Sequence, residues 1–171
     1  LTYAHILDFD TKFRALLSSL PIFLRPDPTL EQLPEVRQEQ AQRPYLAMHR
    51  LIVFEAVNQR LLVLHRDDMC RGHHDEKFAY STRVAVDAAR TILSCRQQID
   101  NVHPAVQKHA AFRHHLFQAA IVLSIHLLEL SHKAQGESQV AHQLRDDIAL
   151  IMNYLYAVSY THLTLPTSDL V

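Results

Sequence analysis

Apolar residues recur along this chain at steps of three and four, interrupted by short polar or proline-bearing stretches. Phe9, Phe13, Leu16, Leu17 and Leu20 keep helical spacing; Asp8 or Asp10 could cap that helix and Pro21 ends it. Residues 25–43 hold three prolines with charges and glutamines and read as an exposed connector. Pro44 suits the first turn of a second helix, where its missing N–H leaves nothing unsatisfied. On that helix Leu46, Val53, Phe54, Val57, Leu61 and Leu64 form one stripe, while Leu51, Ile52, Leu62 and Val63 form another. A helix apolar on two sides packs between neighbours. His65 and Arg66 then fall at its C-terminal end, where cations offset the helix dipole.

Residues 67–77 are polar, contain Gly72, and read as a loop. Ser81 is a fair N-cap for the next helix, whose Val84, Ala85, Ala88, Ala89, Ile92, Cys95 and Ile99 share a face. Small side chains on that face allow close approach of another helix. Residues 100–104 are the next break, and Pro104 opens a long helix reaching about Ala134. Between Leu116 and Leu130 only Gln118, Ser124, His126 and Glu129 are polar, yet these fifteen residues fall short of the ~20 a bilayer needs. Gly136 is the expected C-cap. Glu137 and Ser138 start a last helix, with Val140, Leu144, Ile148, Ile151 and Leu155 spaced along its core face. The expected fold class is all-α: an irregular bundle of about five helices with no sheet and no strict repeat.

Composition narrows the function classes. Two glycines among 171 residues argue against a barrel, a sandwich or a phosphate loop. A formal net charge of −1, with lysines and arginines scattered among acids, offers no nucleic-acid-binding face. Cys70 and Cys95 are too few for a zinc cluster and suit a reducing compartment, with a single disulfide left open. No membrane span is read.

Thirteen histidines raise the question of metal. The strongest pattern is His126-x-x-Glu129-x-x-His132, since Glu-x-x-His is half of a di-iron bundle site. A second Glu-x-x-His is absent, and Glu55 is only a lone carboxylate. His73-His74-Asp75 reads as a solvated loop, and His114 and His115 point to different faces. Ser81, Ser94, Ser124 and Ser131 lie on helices without the strained turn of a nucleophile elbow. Cys70 near His73 and His74 is a weak pattern for an activated thiol. No catalytic, cofactor-binding or metal residue is assigned, and no enzyme is expected.

One stretch points to a family. Leu61-Leu62-Val63-Leu64-His65-Arg66, followed by Ser81-x-x-x-Ala85-x-x-Ala88-Ala89-x-x-Ile92, resembles the fungal-specific transcription factor domain, the middle homology region of zinc-binuclear-cluster regulators. Asp67 stands where that family has proline, and Ala85 where it has cysteine. The resemblance covers roughly residues 45–130. It implies a nuclear regulatory domain that receives a coregulator or small-molecule inducer, with a homodimer as one form. DNA contact and zinc belong to a module upstream of this segment. A helical di-iron-like metal bundle and a generic helical scaffold are the alternatives.

The two ends carry further expectations. The segment begins at Leu1, and the natural portion, residues 1–157, is expected to be part of one helical domain, incomplete at both ends. Val158-Ser-Tyr-Thr-His-Leu-Thr-Leu-Pro-Thr167 resembles translated sequencing adapter, so residues 158–171 are kept out of the fold reading.

Overall fold

The computed structural model describes residues 2–25, 29–102, 110–133 and 139–163. Six α-helices are found there: α1 (Tyr3–Ser19), α2 (Pro34–Gln42), α3 (Tyr45–Gly72), α4 (Ala79–Val102), α5 (Ala110–Lys133) and α6 (Gln139–Leu163). Three short 3-10 turns, Ile22–Leu24, Leu30–Gln32 and Glu76–Phe78, complete the order, and no strand occurs among the described residues. The all-α bundle expected from periodicity is what forms.

Helix α4 is the centre. It packs most extensively on α3, then on α5, and also meets α6, while α1 lies across α3 and α6 rests on α5. All seven residues of its expected core face are buried, from Val84 to Ile99. They join Leu61, Leu62 and Met69 of α3, Leu116 and Leu123 of α5, and Leu144 and Ile151 of α6 in the core. Apolar area removed from water, at about 25 cal/mol per Å², is the main force holding these helices together. On α6 the core face shifts slightly: Ala141 is buried while Val140 is exposed.

Four sequence readings are corrected. First, neither Asp8 nor Asp10 caps α1. The helix begins about two turns earlier, after Thr2, whose backbone N–H donates to His5 Nδ1 at 3.3 Å. Its inward stripe is Ile6, Asp10, Phe13 and Leu17, leaving Phe9 and Leu16 exposed. Second, the stretch expected to be connector contains α2. Pro34 occupies its N-terminal turn, Glu35 faces the dipole there, and Val36 is its single buried anchor.

Third, residues 67–72 are not loop. The helix runs on because Met69 continues the inward stripe of Leu62 and His65 and is fully buried. Arg71 Nη1 donates to Asp68 at 2.7 Å, and Thr82 Oγ1 donates to the Met69 carbonyl at 2.8 Å. Gly72 is required here, since a Cβ would run into Thr82 Oγ1 and the Phe78 carbonyl. Cys70 is thereby an exposed helix residue, and Cys95 a buried free thiol, so the two form no disulfide. Fourth, Ser81 is no cap. Helix α4 starts at Ala79, after a turn in which Asp75 accepts from the Lys77 N–H at 3.0 Å.

Pro104, Gly136, Glu137 and Ser138 lie outside the described residues. The backbone of α6 continues to Leu163, into the stretch kept out of the fold reading.

Candidate functional site

Correcting the ends of α3 and α4 brings His65 and Ser81 together. His65 Nδ1 lies 2.9 Å from Ser81 Oγ, and His65 Nε2 lies 3.3 Å from Asp10 Oδ1. Asp10 also accepts from Tyr80 Oη at 2.7 Å and from Arg14 Nε at 2.9 Å. Ser81 Oγ is 3.3 Å from Tyr3 Oη. One polar knot therefore ties α1, α3 and α4 through His65, and His65 and Ser81 come one from each half of the motif pair read from the sequence.

The electrostatics of the knot fix its protonation. Burial alone pushes the Asp10 carboxyl up, but the hydrogen bonds from Arg14 and Tyr80 outweigh it and hold Asp10 below the usual carboxylate range. Burial pushes the His65 imidazole down, against the pull of Asp10, so the ring is neutral at pH 7. An ionised carboxylate can only accept. Nε2 of His65 therefore carries the proton toward Asp10, and Nδ1 accepts from Ser81.

This Ser–His–Asp chain has the connectivity of a hydrolytic triad, a juxtaposition that chain order alone did not reveal. Its placement does not suit catalysis. His65 and Ser81 are each 0% exposed, so no substrate atom reaches Oγ in this conformation. The arrangement locks helices together.

Three further polar contacts pin α5. Glu55, buried on α3, accepts from His115 Nδ1 at 2.9 Å. Burial holds the Glu55 carboxyl above its ordinary value despite that bond and the nearby Arg96 charge. Burial, aided by Glu55, pushes the neighbouring Cys95 thiol up to about 12, which leaves it unreactive. At the far end His73 Nε2 meets His126 Nδ1 at 3.3 Å, and His74 pairs with Glu129 at 3.4 Å. Burial, with the charges of His73 and Arg90, holds His126 down at about 4.

The two histidine motifs that looked separate in the sequence are thus neighbours. His126 and Glu129 turn to the end of α3, while His132 is exposed. Among the described residues, no three histidine, cysteine or carboxylate side chains gather in a way that could hold a metal ion.

A cleft of about 260 Å³ opens between α3 and α5. Met69, Phe117, Ile121, Val122 and Ile125 supply apolar walls, and Arg66, Asp67, His114 and Gln118 the polar rim. Gln118 accepts from Arg66 Nη1 at 3.4 Å, and its amide nitrogen lies 3.0 Å from His114 Nε2. No described helix is long and apolar enough to cross a membrane.

The structure is a helical bundle held by internal polar locks, with a small cleft on one flank. The chain is similar to parts of two known proteins. Over 125 residues, 72% of this chain, it is 30% identical to the agnestins biosynthesis cluster transcription factor of Paecilomyces divaricatus. Over 161 residues, 92% of the chain, it is 25% identical to the probable transcription factor lepB of Aspergillus flavus. The chain spans only 17% and 28% of the lengths of these two proteins. No protein-family model matches the chain, and no solved structure matches it. Over this stretch the chain is fungal-transcription-factor-like, similar to a portion of each of these two proteins.

Proposed function

We propose that this chain is part of the helical regulatory domain of a fungal transcription factor, the middle homology region, acting in the nucleus. DNA contact and zinc belong to a binuclear cluster elsewhere in the protein. The segment itself relays an effector signal, from an inducer or a coregulator, and does no covalent chemistry. The single observation that carries the reading is the 30% identity to a fungal transcription factor across 72% of the chain. The His65–Ser81 contact adds support, because it gives both halves of the family-like motif one physical task.

The test is the full coding frame together with binding by the purified chain. The frame is expected to encode a six-cysteine module with basic neighbours before this segment. The chain alone is expected to show no salt-dependent DNA binding, since its positive charges are not clustered. A complete frame without such a module, or salt-sensitive binding by this chain alone, overturns the reading.

A further inference from the structure

We propose that the α3–α5 cleft binds a small aromatic carboxylic acid, with its ring on the apolar walls and its carboxylate on Arg66. The proposal rests on the regulatory reading, for which such an acid is the effector. Size gives the first argument. The cleft holds about 260 Å³, whereas a cavity of roughly 150 Å³ accommodates benzene. A substituted or fused-ring molecule therefore fits.

The walls give the second argument. Met69 and Val122 are buried and form the floor. Phe117 and Ile121 flank it with 54% and 44% of their surface exposed. A flat apolar ring covers that surface and lies against the Phe117 side chain.

Arg66 gives the third. A guanidinium has five N–H donors. Nε serves Asp67 at 3.2 Å and Nη1 reaches Gln118 at 3.4 Å, close to the limit of a hydrogen bond. Asp67 is 84% exposed at its side chain, and surface pairs of that kind contribute little. A ligand carboxylate can replace Asp67 and take two parallel N–H bonds from Arg66. His114, beside the Gln118 amide, keeps that amide's oxygen toward Arg66, so the polar rim stays on one side of the cleft.

A protein helix is the rival occupant. Laid along α5 it would also cover Leu128, which is 59% exposed and lies beyond the cleft lining. The Arg66 N–H donors beyond the two that serve Asp67 and Gln118 favour the acid, because an apolar helix face would leave them without an anionic acceptor.

The probe is naphthoate, titrated into the purified full chain by calorimetry or NMR. Saturable binding is expected, at least tenfold tighter than that of neutral naphthamide. Arg66→Gln should weaken naphthoate at least tenfold, and Ile121→Trp, which fills the cleft from its rim, should abolish binding. Arg83→Gln, an exposed change on α4, should leave it unaltered. Far-UV circular dichroism confirms that each variant is folded. Absence of saturable binding overturns the proposal, as does equal affinity for the amide or indifference to Arg66→Gln. Because binding is read without transcription, it can fail while the regulatory reading stands, and a reporter assay can fail while binding stands.

Discussion

Replacing His65 with alanine should destabilise the chain by about 2–4 kcal/mol. The ring is fully buried where α1, α3 and α4 meet. Truncating a large buried side chain to alanine usually costs about 2–5 kcal/mol, and a partly polar imidazole belongs at the lower end of that range. Losing a buried hydrogen-bond partner adds roughly 1 kcal/mol net. Asp10 keeps Arg14 and Tyr80, and Ser81 keeps Tyr3, so neither is left fully orphaned. Urea unfolding at pH 7, followed by far-UV circular dichroism, reads the loss. With a slope of about 2 kcal/mol per molar urea, the middle of the usual range, the midpoint should fall by roughly 1–2 M. Ser81→Ala alone should cost about 1 kcal/mol. In a double-mutant cycle the two changes should show a coupling energy of about 0.5–1.5 kcal/mol. A His65→Ala cost under about 0.5 kcal/mol, the range of plain surface changes, or strict additivity with Ser81→Ala, would refute the knot as the lock of this bundle.

Three further outcomes follow from the packing and the titrating groups. Ala88→Leu overfills the close contact of α4 with its neighbours and should cost about 1–3 kcal/mol in the same urea assay. Gly72→Ala sets a methyl group against the Phe78 carbonyl and should cost a similar 1–3 kcal/mol; a neutral or stabilising result would mean that α3 does not approach the turn so closely. Stability should fall between pH 7 and 5. The imidazoles of His65 and His126 are held below their ordinary value of 6.5 in the fold, so the unfolded chain binds more protons across that window. Their contribution is complete above about 6.5 and is lost as pH falls toward 4. Asp10, whose folded value is lowered, loses its contribution only at more acid pH, while Glu55, whose value is raised, works in the opposite direction. His126→Gln should flatten the pH 7-to-5 difference by about 1–2 kcal/mol, and an unchanged slope would contradict the buried neutral imidazole.

The core of this fold is legible in the sequence because it is periodic. The seven-residue face of α4 and the Leu61–Leu62 pair of α3 are buried as spacing alone requires. The polar locks were not legible, for a physical reason. Sequence reading treats a polar residue as a boundary: Asp10 as a cap, Ser81 as a cap, His65 as a helix end, residues 67–72 as loop. In the structure Asp10, His65 and Ser81 face inward and are satisfied by residues on other helices, while residues 67–72 simply continue α3. Asp10 to His65 spans 55 positions and Glu55 to His115 spans 60, distances over which periodicity carries no information. One local signal was available: Asp10 keeps step with Ile6, Phe13 and Leu17, and a polar residue in an apolar stripe marks a buried partner elsewhere. Helix α2 was hidden differently, because one buried valine among glutamines and charges gives almost no amphipathic pattern.

The proposed regulatory role is tested most directly in the full-length protein by a transcription reporter. Residues 45–133 would be replaced by a flexible linker, and DNA binding by the purified protein measured in parallel. The account predicts that target transcription loses its normal control while DNA affinity stays within about twofold. Unchanged transcription and unchanged regulation after the replacement would contradict it.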